Sequence, residues 1–438
     1  MATVRILPLT VFASVLLGGC KRPSEEPSIQ REQVSTAASG TTGDTARPAV
    51  DTGTPTEPAL SYADADAVLR DAPDALANME HGLGLAIAIG DVTADGEANL
   101  VLATGVAVWV FDAHSLSGDM TTKNARFQLT DIGGSFLQLL DLDMDGHLDV
   151  VTYIGNTSTS NQLRVVFGPI TQDAQPFSTF LVPGNGPVRP NLQDVDGDGD
   201  LDIVHCDLND LQIIQGPIHA EHDGAITVVP IDAPQLRDIE RMARGADFSG
   251  DGADDLLLQE SLRTYAVDLP FEVDGAPRRA HEIEGDPIVD PAPVADLGGQ
   301  TQGLSVVRMS DYTGEPTVQL MDADAVRNSG GTRAEFWWQG TTWPFTSPDY
   351  ADVTGDGVSD ITFAFGQVEE LGVQTLVGPF DGYYDVGDPE LERALLLPNG
   401  AYRPRYMKVG QLDDGPDQDL VVKGIAEVFV FFDPFVAP

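Results

Sequence analysis

Short apolar runs recur along this chain, each directly after a knot of acidic residues and glycine. The clearest are Leu100-Val-Leu102, Val150-Val-Thr-Tyr153, Ile203-Val-His205, Leu256-Leu-Leu258 and Ile361-Thr-Phe363. They are too short for buried helices and partly β-branched, which suits strands covered on both faces. A second apolar run follows and stops at a proline: Val165-Val-Phe-Gly168-Pro169, Ile213-Ile-Gln-Gly216-Pro217, Thr375-Leu-Val-Gly378-Pro379 and Val430-Phe-Phe-Asp433-Pro434. Proline ends a ladder because it has no N–H to donate. A third set comes after a longer loop: Arg126–Thr130, Ser178–Val182, Ala225–Val229, His281–Ile283, Glu335–Trp338 and Arg393–Leu397. Each stretch therefore reads strand, acidic loop, strand, turn, strand, loop, strand.

The knots share one skeleton. Asp194, Asp196, Asp198 and Asp202 stand at loop positions 1, 3, 5 and 9, with Gly199 at 6. Asp141, Asp143, Asp145 and Asp149 repeat the pattern, as do Asp247, Ser249, Asp251 and Asp255, and Asp352, Thr354, Asp356 and Asp360. A looser copy holds Asp91, Thr93, Asp95 and Asn99. Alternate positions of a tight turn point inward, and the glycine supplies the positive φ that wraps the backbone, so the oxygens converge on one hard cation. An isolated Asp-Gly is as easily a hairpin turn. Recurrence of the whole acidic set favours Ca²⁺, with four or five ions expected. An EF-hand does not fit, because position 12 is Leu102, Thr152, His205, Leu258 or Phe363 rather than Glu. Without metal, carboxylates ~4 Å apart repel by about 1 kcal/mol per pair in water and more in a less polar setting, so the loops are expected to open.

The loops begin at 91, 141, 194, 247 and 352, so one interval is double. A degenerate copy fills it around Val294-Ala-Asp296, and a last one spans Gln411-Leu-Asp413-Asp414-Gly415-Pro-Asp417-Gln-Asp419. Neither keeps the ligand pattern, and metal is not expected there. Repeats of about 40–50 residues with four strands each describe a propeller, since one such sheet cannot bury both faces alone. The expected fold is all-β: a seven-bladed β-propeller of four-stranded antiparallel blades over 59–438. The blades start near 80, 134, 186, 240, 288, 344 and 401, with a calcium loop between the first and second strands. The last blade runs out of chain after three strands. The alternating run Ala65–Asp71, within a closing segment at 59–77, is expected to supply the fourth by pairing antiparallel with Val428–Phe431.

The Asp-x-Asp-x-Asp-Gly-x-x-Asp loops and the Phe167-Gly168-Pro169 motif resemble the FG-GAP or VCBS repeats, similar to the propeller of integrin alpha subunits. The resemblance covers roughly 80–438 and implies seven blades, calcium in the loops and a role in adhesion.

Residues 1–19 look like a lipoprotein signal peptide: Arg5, an apolar stretch from Ile6 to Leu17, then Gly18-Gly19-Cys20. Cys20 is the expected lipidation site, and 20–58, rich in Ser, Thr, Pro and Gly, the expected tether. This places the chain on a bacterial outer membrane, cell surface or periplasmic face, held only by that lipid. The formal charge of −45, from 69 acidic and 24 basic residues, disfavours nucleic acid as a partner.

No nucleophile elbow, P-loop, His-Glu-x-x-His or dinucleotide fingerprint occurs. His219-Ala-Glu-His222-Asp223 reads as a polar loop rather than a transition-metal site. Phe336-Trp337-Trp338, Trp343, Phe345 and Tyr350 read as packing before they read as a sugar platform. The expected function is binding, adhesion or scaffolding by a monomeric domain, toward an unspecified protein or glycan. The alternative is a polysaccharide lyase or hydrolase acting at the propeller mouth.

Overall fold

A computed structural model of the chain describes residues 61–435 apart from 71–85, 135, 155–160, 174, 183–189, 208–209, 234–238, 240, 245–246, 248–250, 252, 261–262, 284–287, 295–302, 310–315, 323–331, 338–347, 366–371, 381, 386–392, 398–405, 416 and 425–426. Cys20, the tether, Ser249, Asp296, Trp338, Trp343 and Phe345 lie outside the described residues.

The described residues are all-β, with three-residue 3-10 turns at Tyr62–Asp64, Ala113–Ser115 and Thr122–Asn124. Antiparallel ladders group the strands in chain order, and each group is named here by the first residue of its acidic loop. The 91 unit joins Ala86–Gly90, Asn99–Ala103, Ala107–Asp112 and Phe127–Thr130. The 141 unit joins Phe136–Leu140, Asp149–Ile154, Asn161–Val166 and Ser178–Val182. The 194 unit joins Asn191–Gln193, Asp202–Asp207, Asp210–Ile214 and Thr227–Asp232. The 247 unit joins Arg241–Arg244, Leu256–Glu260, Arg263–Val267 and Arg278–Ile283. A unit with its loop around Asp296 joins Ile288–Val294, Gly303–Met309, Pro316–Asp322 and Thr332–Trp337. The 352 unit joins Asp349–Ala351, Asp360–Phe365, Gly372–Leu376 and Arg393–Leu397. The 411 unit supplies Tyr406–Gly410, Asp419–Lys423 and Glu427–Phe431. In every unit the acidic loop joins the first strand to the second.

The fourth strand of the 411 unit comes from the other end of the described chain. Ala67–Arg70 pairs antiparallel with Glu427–Phe431, Leu69 opposite Val428. Ala67 and Leu69 are fully buried there. Asp66 continues the contact: its N–H donates to Val430 O at 2.9 Å, and its carboxylate accepts from Phe432 N–H at 2.8 Å. Tyr62 packs on Phe429 with ring centroids 4.8 Å apart.

The core lies between successive sheets. One cluster joins Val101, Val108 and Leu129 of the 91 unit to Leu137, Val150 and Val166 of the 141 unit. The next joins Val151, Tyr153 and Leu163 to Ile203, Ile214 and Ile218. Val204 and Ile213 pack with Leu256, Leu258 and Tyr265. Phe336, Phe363 and Phe431 belong to one cluster spanning the last three units. Leu100, Leu102 and Trp109 of the 91 unit pack with Leu69, Val421 and Val430, so the last sheet lies against the first. Ala86–Gly90 likewise lies beside both Phe136–Leu140 and Tyr406–Gly410.

Sequence periodicity does not foreshadow one device. Several fourth strands are covered along their outer edge by a parallel segment of the following unit. Gly118–Thr121 of the 91 unit lies along Ala67–Arg70, and Gly382–Asp385 of the 352 unit lies along Thr332–Trp337. Arg278 and Arg279 of the 247 unit lie along Ile231 and Asp232. Pairing removes the open N–H and C=O rows that make edge strands prone to association. Arg70 fastens one such junction, bonding Glu427 on one side and Asp119, at 3.0 Å, on the other.

Candidate metal loops

The 91, 141, 194 and 352 loops are first hydrogen-bonded turns. The position 1 carboxylate accepts the N–H of the position 6 glycine: Asp91 from Gly96 at 2.9 Å, Asp141 from Gly146 at 2.9 Å, Asp194 from Gly199 at 3.0 Å and Asp352 from Gly357 at 2.8 Å. These glycines have φ between +84° and +96°, which an L side chain rarely adopts. Position 4 is left-handed as well, at Ala94, Met144, Gly197 and Gly355 with φ of +58°, +62°, +79° and +74°. The position 5 carboxylate accepts from the N–H two residues on: Asp95 from Glu97, Asp145 from His147, Asp198 from Asp200, Asp251 from Ala253 and Asp356 from Val358.

The position 9 residue does more than close a cage. Asp149 accepts from Leu142 N–H and from Gly168 N–H, both at 2.8 Å and through separate oxygens. Asp202 does the same with Val195 and Gly216, each at 2.8 Å, and Asp360 with Val353 and Gly378, each at 2.9 Å. Asp255 accepts from Leu269 N–H at 2.9 Å, and Asp419 from Leu412 at 2.6 Å and Asp433 at 3.0 Å. One carboxylate thus ties loop position 2 to the end of the third strand. The neighbouring sheet holds the other side of position 2. Ile170 N–H donates to Val92 O and Ile218 N–H to Leu142 O, each at 2.8 Å, and Phe271 N–H to Val195 O at 2.9 Å. Asp149, Asp202, Asp255, Asp360 and Asp419 are at most 1 % exposed. Burial pushes the Asp149 and Asp202 carboxyls up to about 6, despite their two backbone donors, and moves Asp360 and Asp419 in the same direction.

Among the described residues, three groups bring carboxylate oxygens within 4.8 Å of one another: Asp141, Asp143 and Asp149; Asp194, Asp196 and Asp202; Asp413, Asp419 and Asp433. The first two are positions 1, 3 and 9 of the expected pattern. Asp145 and Asp198, also expected as ligands, are outside these groups because their carboxylates turn toward the backbone two residues on. In the 352 loop Thr354 replaces the position 3 acid, and its hydroxyl lies 3.5 Å from Asp352. In the 247 loop Asp247 accepts from Asp251 N–H at 3.1 Å, while Ser249 is outside the described residues.

The donor set fits a hard divalent cation at the 194 loop, and less directly at the 141 loop. Asp196 Oδ1 is buried without a hydrogen-bond partner, while Asp196 Oδ2 takes the Gln215 amide at 2.6 Å. A buried carboxylate oxygen with no protein donor, on a residue grouped with two further carboxylates, suits coordination of a hard cation. Desolvation and the carboxylates of Asp145 and Asp141 raise the Asp143 carboxyl.

The third group lies at the 411 loop. Metal was not expected at the 411 loop, where Gln411 replaces the position 1 acid and its amide donates to Gly415 O. Asp433 restores a third carboxylate from the end of the third strand. Its sequence signal is an Asp before Pro434 where Gly168, Gly216 and Gly378 precede the other prolines.

The 91 loop departs from the pattern. Asn99 accepts from Val92 N–H at 3.0 Å, and its amide faces Asp112 at 3.4 Å. The Arg126 guanidinium reaches Asp95 at 2.5 Å and Asp112 at 2.9 Å. Hydrogen bonding to Arg126 holds Asp95 below the usual carboxylate range.

His222 and Phe336 make local contacts. One ring nitrogen of His222 lies 3.0 Å from Gln215 O, and its Nδ1 accepts from Gly224 N–H at 2.9 Å. Phe336 is fully buried and stacks on Tyr384 at 5.1 Å. Cys206 is buried.

No family model matches the chain, and no curated protein matches it. Solved structures similar to it are β-propeller-like proteins. The WD40 domain of Toxoplasma gondii coronin is 9% identical, with 79% of this chain and 80% of that chain covered and a TM-score of 0.47. BBS1N in complex with ARL6DN is 10% identical over 80% of this chain and 92% of that one, with a TM-score of 0.46. The exotype rhamnogalacturonan lyase YesX is 10% identical over 81% and 73%, with a TM-score of 0.44.

Proposed function

We propose that this chain is a calcium-stabilised, seven-bladed β-propeller that serves as a binding or scaffold module, held at a bacterial membrane by a lipid on Cys20. The observation that carries the calcium reading is the convergence of Asp194, Asp196 and Asp202, with Asp196 Oδ1 left bare. Asp141, Asp143 and Asp149 repeat the set, and Asp352, Thr354 and Asp360 offer a hydroxyl in place of one acid. A bound cation would neutralise these groups and tie the end of each first strand to the start of the second.

The closed ring is supported by the core clusters between successive sheets, by Leu69 among residues of the first and last units, and by the outer strand that Ala67–Arg70 gives the 411 unit. A ring with its ends clasped makes a rigid platform, which suits display of loops to a partner. The leader ending in Gly18-Gly19-Cys20 supports the anchor. Membrane fractionation of wild type and Cys20→Ser tests it: the wild type is expected with membranes and the variant in the soluble fraction. Metal analysis and melting with and without chelator test the calcium reading, and glycan-array and pull-down screens in calcium test the binding role.

A further inference from the structure

The 91 loop has the backbone of its relatives and a different charge arrangement. Asp91, Asp95 and Asn99 keep the turn bonds to Gly96, Glu97 and Val92. Three features replace the metal-facing set. Thr93 stands at position 3, as Thr354 does in the 352 loop, where the 141 and 194 loops hold a carboxylate; its hydroxyl lies 3.5 Å from Asp91 Oδ1 and 3.4 Å from Asn99 Oδ1. Asn99 stands at position 9, where a carboxylate would face Asp112; the amide instead donates to it. Other units place a backbone N–H at this point, from Gly168, Gly216 or Gly378, and there the position 9 residue is Asp. The third feature is Arg126. Its backbone N–H donates to Val110 O at 2.8 Å, which fixes it at the start of the fourth strand. Its guanidinium lies 5.2 Å from the Phe127 ring centroid and spans Asp95 and Asp112.

We infer that the 91 loop carries its own cation, the guanidinium of Arg126, and takes up no calcium. The fixed positive charge stands beside the position 5 carboxylate, and a divalent ion in the loop would meet it as a like charge. The donor chemistry agrees: two neutral side chains replace two carboxylates, so the remaining negative charge suits a monovalent guanidinium. This inference rests on the reading that the 141 and 194 loops take calcium.

The test is calcium stoichiometry, by native mass spectrometry of the whole mature chain, for wild type, Asp91→Asn, Asp194→Asn and Arg126→Gln, with melting in calcium and in chelator. Asp91→Asn is expected to bind as many ions as wild type, and Asp194→Asn, at the same loop position, one fewer. Arg126→Gln is expected to lower the melting temperature by about 2 °C in calcium and in chelator alike. Loss of one ion in a folded Asp91→Asn protein would overturn the inference. Were wild type to bind no calcium at all, the reading of the other loops would fail. The Arg126 assignment would then be decided by melting in chelator: an unchanged midpoint in Arg126→Gln would overturn it, and a lowered one would support it.

Discussion

Asp202 accepts the N–H of Gly216 at 2.8 Å, joining the start of the second strand to the end of the third. Its other oxygen accepts Val195 N–H at 2.8 Å, and Val195 O in turn receives Phe271 N–H from the next sheet. The loop is thus a junction between sheets before it is a metal site. Replacing Asp202 by Ala leaves two backbone donors unpaired in a buried setting. The expected cost is about 2–6 kcal/mol, at 1–3 per orphaned group. Urea denaturation in chelator checks this; a neutral Asp202→Ala under those conditions would mean that the residue matters only through metal.

Acid should strengthen the metal-free fold. Burial raises the Asp149 and Asp202 carboxyls to about 6 in the folded chain, from 3.8. The folded state then binds more protons than the unfolded one between these values. The penalty for burying the charges is complete above pH about 6 and fades as pH falls toward 3.8. In chelator the melting temperature should rise from pH 7.5 to 5. In excess calcium that gain should shrink or reverse, because the metal requires the deprotonated acids. General relief of surface charge acts in both conditions, so the control is Asp149→Asn with Asp202→Asn, whose gain in chelator should be smaller. An equal gain in that double variant would assign the effect to the surface.

Two glycines at the same loop position separate backbone strain from packing. Gly197 and Gly355 have φ of +79° and +74°. A Cβ on Gly355 would meet nothing within 4 Å, whereas one on Gly197 would lie 2.9 Å from Pro270 Cβ in the next unit. Gly355→Ala should cost about 1 kcal/mol from the left-handed backbone. Gly197→Ala should cost about 1–3 kcal/mol more from overpacking. Equal losses in denaturation would remove Pro270 from the account.

Leu69 is fully buried between the first and last sheets. Leu69→Ala should cost about 2–5 kcal/mol. Because the strand belongs to the closure, the loss should appear as one cooperative transition of the whole domain. Early, separate unfolding of the Ala67–Arg70 region alone, seen by hydrogen exchange, would contradict this.

Much of this arrangement is legible in the sequence because strands announce themselves by short apolar runs and loops by fixed spacing. Ala67–Arg70 could be matched to Val428–Phe431 because a three-stranded final unit needs a partner and one spare alternating run precedes the first unit. The acidic spacing also locates Asp141, Asp143 and Asp149 together. It does not reveal that the position 9 oxygens are held by backbone N–H groups, since the strand that brings Gly168 or Gly216 back is positioned by tertiary packing. Nor does it show Gly118–Thr121 and Gly382–Asp385 as edge covers, because parallel pairing between units leaves no local pattern. The identity of position 9 tracks its second partner in a way spacing alone cannot show: Asn99 faces a carboxylate, while Asp149, Asp202 and Asp360 face N–H groups.

The most direct measurement is the calcium content of the purified mature chain together with its melting temperature in calcium and in chelator. The account predicts bound calcium that is lost with Asp141→Asn or Asp194→Asn, and a lower melting temperature in chelator. A chain free of calcium at millimolar concentrations of the ion, with the same melting temperature in both conditions, would contradict it.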